Sequence, residues 1–385
     1  MPLSSQIGRG FFSPVTCNVP FCQLPITNYQ SPIPYLYTMK FRLYRNVLAD
    51  ILFMPLLVYC MLHVPLISYG LRMAKGQLTI VMDARPVKEV LKDAAVADSV
   101  KEKLRLIEEI RQFAFDSIGL ERNENYTTFY DQHGRRLIYV VTACKPFALE
   151  PHLWHFPVLG DVPYKGFFNA EKAKEQALEL RGQGLDTDVG GASGWSTLGF
   201  FKDPVLSQML KNEEGDLAEL IIHELTHGTV FVKDDVEFNE NLASFIGYKG
   251  AVWFLERKYG KDSEQLKEYL NGRHDDEVLE RFMLHCAHSL DSLYKTIPAD
   301  ADEKYKAGLK RKMLISFVIK SAQLPLEMDV SFPARFGKRI RNSGNAFFMQ
   351  YVRYGGKQHD FEADFLKYNG DLKRYVAKLI ELYPE

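Results

Sequence analysis

The sequence predicts an α+β protein: a small lobe with a mixed or antiparallel sheet, then a mainly helical lobe, with an apolar anchor helix ahead of both. Three observations predict it. A hairpin-like pair of β-forming runs and a capped helix come first, between residues 126 and 181. Beyond Gly260 only helical patterns and polar turns follow. Between the two lies a helix-period segment carrying His223-Glu224-Leu225-Thr226-His227, a spacing that reads as a metal-binding helix.

A chain of 385 residues exceeds the usual size of one domain. Its 46% hydrophobic and 13% aromatic content supply ample core. Forty-eight basic against 49 acidic residues leave a net charge of −1, which with no basic run excludes a nucleic-acid partner. The five cysteines form neither a metal knuckle nor a disulfide framework. Oligomeric state leaves no signal.

Residues 1–38 hold one charged residue, Arg9, and six of the 18 prolines, a composition that predicts disorder or a mis-called start before Met39. Residues 51–71 contain no Lys, Arg, Asp or Glu. That length suits one membrane span, so 39–72 reads as a signal-anchor segment holding the following lobes outside the cytoplasm, in a periplasmic or other extracytoplasmic space; a buried core helix is the alternative. The lobes then fall at 73–260 and 261–385. Ser99 with Glu102 reads as a capping box opening a helix over 99–119, with Gly119 as its stop. Residues 126–130 and 136–143 around Asp131-Gln132-His133-Gly134 read as a hairpin. Asn169 caps a helix to Arg181, ended by Gly182.

In the central segment Asp216 with Glu219 reads as a second capping box. Leu217, Ile221 and Leu225 bury one face of this helix, while His223 and His227, four apart, point the same way. The pattern predicts one Zn²⁺ with Glu224 as a base beside it; a core helix with two hydrogen-bonded histidines is the alternative. A hydrolytic zinc site takes three protein ligands. Glu240 supplies the third, on a helix capped by Asn239 and stopped by Gly260, where Ala243, Ser244 and Gly247 form a small-residue stripe for close approach. Glu237 is the rival ligand.

These residues carry a resemblance. HELTHGTVFVKDDVEFNENLASFIG, with LEPHLWHFPVLGDVPYKGFF and GLDTDVGGASGWSTLGFFKDPVL upstream, resembles the bacterial aminopeptidase family, a gluzincin-like group. It covers about residues 74–385. It implies a zincin-like fold and a peptide substrate, with the glycine-rich run 189–199 as the strand lining the cleft: Gly190, Gly191, Ser196 and Thr197 then meet the substrate backbone. An ordinary bulged strand or loop is the other reading of that run. Asn345 and the downstream Tyr354 match the family's pattern. Tyr354 is placed at the oxyanion, with packing as the competing role for it and for Tyr351. The run 189–199 departs from the larger gluzincin class in holding no acid to bind a free amine. Asp203 is favoured for that task over Asp186, Asp188 and Glu237. His285, Cys286 and His288 lie in an amphipathic stretch and read as core or surface residues.

The expected chemistry is peptide hydrolysis by a zinc-activated water, with Glu224 as general base. A membrane-tethered endopeptidase using the same site is one rival. A non-catalytic scaffold or binding protein with structural zinc is the other.

Overall fold

The structure, a computed structural model, describes Met54, Met61 and residues 63–156, 160–191, 202–233, 235–298, 300–354 and 361–383. The chain divides into two units, Met1–Ser68 and Tyr69–Glu385. The fold is mixed α+β and mostly helical, with small sheets.

The expected anchor is corrected. Among the described residues no helix is long and apolar enough to cross a membrane. Of the 51–71 run, residues 51–53, 55–60 and 62 lie outside the described part, as do all of 1–38. The end of the run continues as helix α1, Val64–Asp83, which carries Arg72, Lys75 and Asp83. α1 packs on protein: the Tyr69 hydroxyl donates to the Gly166 carbonyl at 2.9 Å, and a Cβ on Gly76 would collide with the Phe168 ring. The reading of a membrane-anchored, extracytoplasmic catalytic part falls with the anchor.

β1 (Arg85–Pro86) and the short helix α2 (Val87–Val90) lead to α3, Asp98–Phe113. α3 runs on as a π-helical turn to Ile118, and Gly119 ends it at φ 89°, a left-handed value glycine adopts without strain. Its N-cap is Ala97, which offers no side-chain cap, so the expected Ser99 capping box is not formed.

β2 (Thr128–Tyr130) pairs antiparallel with β1. β3 (Tyr139–Cys144) belongs to another sheet, so the expected 126–143 hairpin is not formed. The reason lies at Gln132. Its backbone N–H donates to Ser207 Oγ at 2.9 Å, and its side-chain oxygen accepts from Gln208 N–H at 2.9 Å. These bonds hold the turn against the later strand β8, Val205–Leu206, which runs parallel beside β2. β4 (Trp154–Phe156) and β5 (Gly160–Val162) form an antiparallel pair. β6 (Lys165–Phe167) and β7 (Asp186–Gly191) flank β3, with Val141 opposite both Lys165 and Val189. Helix α4, Ala170–Gly182, packs on that sheet through Ala173, Ala177 and Leu180. Asn169 caps it as expected, accepting the Lys172 N–H at 2.9 Å.

Two helices follow as a pair, α5 (Glu214–His227) and α6 (Val236–Tyr259). Leu217, Ile221 and Leu225 of α5 are all fully buried. Each contributes about 1.5–3 kcal/mol by leaving water. Then come α7 (Glu264–Thr296), α8 (Glu303–Ser321), α9 (Phe332–Ser343), α10 (Met349–Tyr354), α11 (Phe361–Leu366) and α12 (Leu372–Leu382). α7, α8 and α9 share a core around Met283, Phe317 and Phe336. The last two helices return to the α5–α6 core, where Phe361, Phe365 and Val376 join Ile221 and Leu242. The chain end therefore braces the helix pair.

Candidate metal centre

Close approach of α5 and α6 is built on glycine. A Cβ on Gly247 would lie 2.9 Å from the Glu219 carbonyl oxygen and 3.3 Å from His223 Cβ. A Cβ on Gly250 would lie 2.9 Å from Ile222 Cδ1. Gly247→Ala is expected to cost about 1–3 kcal/mol, because backbone must move to admit the methyl. Gly272→Ala, in α7 with nothing within 4 Å, is expected to gain about 0.5–1 kcal/mol from helix propensity. Denaturant unfolding of the two variants checks the pair.

α5 begins at Glu214 behind N-cap Glu213, so the expected Asp216–Glu219 capping box is not formed. Glu219 turns instead to α7, accepting the Tyr269 hydroxyl at 2.7 Å and pairing with Arg273 at 3.4 Å. α6 is capped by Asp235, whose side chain accepts the Phe238 N–H at 3.0 Å, not by Asn239. Asn239 is buried. Its amide clamps Val232, donating to the carbonyl and accepting the N–H, both at 2.8 Å. That clamp fixes the connection between the helices and the first turn of α6, immediately ahead of Glu240.

His223, His227 and Glu240 come together, with one donor atom of each within 4.8 Å of the others. Glu240 Oε2 lies 3.5 Å from His223 Nε2, and Oε1 lies 3.5 Å from His227 Nε2. The two Nε2 atoms are 3.1 Å apart. The far side of His223 is held as well: Nδ1 lies 3.4 Å from Ser244 Oγ, a contact that fixes ring orientation. Glu237, the rival, is exposed on the first turn of α6 and lies outside the group.

This donor set fits a divalent cation. Two imidazole nitrogens and a carboxylate converging from two helices are the ligands a catalytic zinc takes. Without a proton or a cation between them, two facing lone pairs at this distance repel.

The electrostatics separate the two glutamates. Glu240 is held below the usual carboxylate range, chiefly by its hydrogen bond to His223. Glu224 is pushed up, chiefly by burial, with the charges of Glu240 and Asp203 adding and His223 opposing. His227 is lowered, by burial first and then by His223. Glu240 thus holds its charge more readily and faces the histidines, while burial raises the proton affinity of Glu224, the residue after His223.

Asp203 lies beside this group. It is buried just ahead of β8, where its N–H donates to Asn125 Oδ1 at 3.1 Å and its carbonyl accepts the Tyr126 N–H at 2.6 Å. Tyr126 is a neighbour no motif in the sequence marks. It is buried at φ 63°, and its phenol is pushed up by burial and by the charges of Glu224 and Asp203.

With that geometry in place, residues 68–384 match the family model described as "Putative aminopeptidase". The chain belongs to this aminopeptidase family. Comparison with curated proteins and with solved structures finds no match.

The other expected residues of the family pattern have the following surroundings. Gly190 and Gly191 end β7, facing Arg339 and Arg136. Ser196 and Thr197 lie outside the described residues. Asp186 is taken by Lys310 and by the Asn345 N–H at 2.6 Å. Asp188 is taken by Arg339 at 2.8 Å and Ser343 at 2.5 Å. Both acids thus serve the contact between β7 and the helices after it. Asn345 is fully buried, accepting the Tyr294 hydroxyl at 2.7 Å and donating to the carbonyls of Lys145 and Pro146 at 3.1 Å, which makes it a clamp on that loop. Tyr351 packs on Phe347 with ring centroids 5.9 Å apart. Tyr354 ends α10, and its side chain lies outside the described part. Cys286 is buried in the α7–α9 core while His285 and His288 are exposed, so the three do not gather.

Proposed function

We propose that this family member is a zinc metallopeptidase of gluzincin type with a zincin-like arrangement, acting as an aminopeptidase on peptides. The observation that carries the reading is the meeting of His223, His227 and Glu240 across two helices, with Glu224 beside them. His223, His227 and Glu240 hold the ion. When bound, the ion supplies Lewis acidity toward water and the scissile carbonyl. Glu224 takes the proton of the attacking water and later returns it to the leaving amine. Tyr354 is the candidate donor to the oxyanion. Backbone groups of the glycine-rich run from Gly190 onward pair with the extended substrate.

The aminopeptidase reading requires a carboxylate for the substrate's ammonium, since an unpaired charge in a cleft is costly. Asp203 is assigned that task, because it is the buried acid whose charge acts on Glu224. The endopeptidase alternative draws on the lack of any acid in 189–199.

The test is metal analysis of the purified protein, with hydrolysis of a peptide set offered free and N-acetylated. One zinc per chain is expected, with cleavage of free peptides, loss of cleavage on acetylation, and a raised KM in Asp203→Asn. Internal cleavage of acetylated peptides at similar rates replaces the aminopeptidase with an endopeptidase. A metal-loaded protein inactive on every peptide supports the scaffold reading instead.

A further inference from the structure

A cleft of about 520 Å³ opens between α1, the turn after β2 and the start of α4. Its charge is one-sided. Arg72, Lys75, Arg135, Arg136 and Lys172 line it, and no carboxylate does. Lys172 is paired with Glu175 at 2.6 Å. The other four form no ion pair with any described residue. They come from two separate elements, α1 and the 135–136 turn, so the fold rather than a local run gathers them.

The walls behind these charges are aromatic: Tyr69, Tyr130, Phe167 and Phe168. Lys165 stands behind the rings, its ammonium 4.9 Å from the Tyr69 centroid and 5.7 Å from that of Phe167. Burial first, then Arg72, lowers its proton affinity against the pull of Glu179. At one edge the cleft meets the N-terminus of α4, where the helix dipole also favours an anion. His133, on the rim, pairs with Asp131 at 3.4 Å. Like charges gathered without counter-charge repel, and a multivalent anion relieves that repulsion.

We propose that this cleft binds a small phosphate-bearing ligand, the phosphate held by Arg72, Lys75, Arg135 and Arg136 and the ligand's body resting on Tyr69, Phe167 and Phe168. Guanidinium forks match phosphate oxygens two at a time, which favours phosphate over a single carboxylate. The site is independent of the metal reading and stands whether or not the protein is a peptidase.

Calorimetric titration of the full chain with inorganic pyrophosphate, at ionic strength held constant with chloride, tests it. Saturable binding of one equivalent is expected, weakened at least about tenfold in Arg135→Ala/Arg136→Ala. Arg311→Ala/Lys312→Ala removes equal charge from exposed positions on α8 and is expected to bind as the parent does. Phenyl phosphate is expected to bind more tightly than inorganic phosphate, because its ring meets the aromatic wall. The proposal is overturned by absence of saturable binding, or by equal weakening in both double variants. Phenyl phosphate binding no better than inorganic phosphate removes the aromatic part of it.

Discussion

Glu224→Gln is expected to keep its metal and lose its turnover. The side chain lies outside the donor group of His223, His227 and Glu240, so metal content should equal that of the parent. The amide matches the carboxylate in shape, so the half-buried position beside Tyr126 and Asp203 stays filled. Under the proposed mechanism, what disappears is the proton acceptor. Loss of a positioned general base costs roughly two to four orders of magnitude in kcat, about 2.7–5.5 kcal/mol of barrier. Rates on free peptides, measured beside elemental analysis of the same preparation, check both halves. A metal-replete variant as active as the parent would remove Glu224 from the chemistry and the mechanism with it.

The gathering of His223, His227 and Glu240 was legible because a helix converts sequence spacing into direction. Two histidines four apart must share a face, whatever the rest of the fold does. The small residues Ala243, Ser244 and Gly247 carried the next step, since a stripe without bulk marks where a second helix comes close. Helix starts were less legible. Asp235 and Asn239 are both good caps in isolation. The choice went to Asp235 because Asn239 has a tertiary task, holding Val232. Glu219 likewise left its expected capping role for Tyr269 and Arg273 on a later helix.

Sheet pairing was not legible at all. β-forming runs adjacent in sequence suggested a hairpin, but Phe129 pairs with Val205, far along the chain. Contacts of that range depend on what the intervening residues build, and no local propensity encodes them. The apolar run before Leu71 failed in the same way. Composition alone measures length in hydrocarbon, whereas Tyr69 and Gly76 show the α1 helix placed against protein. Tyr126 escaped because nothing local marks a buried tyrosine at positive φ. Its place follows from the bond to the Asp203 carbonyl.

Glu240→Ala is expected to empty the site, and Glu237→Ala to leave it filled. The two glutamates lie three residues apart on one helix, so propensity and net charge change alike in both variants. They differ in direction. Glu240 places one oxygen 3.5 Å from each histidine, and Glu237 faces solvent. Residues that merely orient a ligand cost 10–100-fold in metal affinity when removed, so loss of a ligand should cost about a hundredfold or more. Two imidazoles then remain, short of the three protein ligands a catalytic zinc needs. Both variants should fold, since Glu240 is partly exposed and the Asp235 cap and Asn239 clamp are untouched. Competition with a chelator of known affinity, read with circular dichroism on the same samples, separates metal loss from unfolding. If the folded Glu237→Ala protein is the one that releases its metal, the third ligand has been assigned to the wrong glutamate.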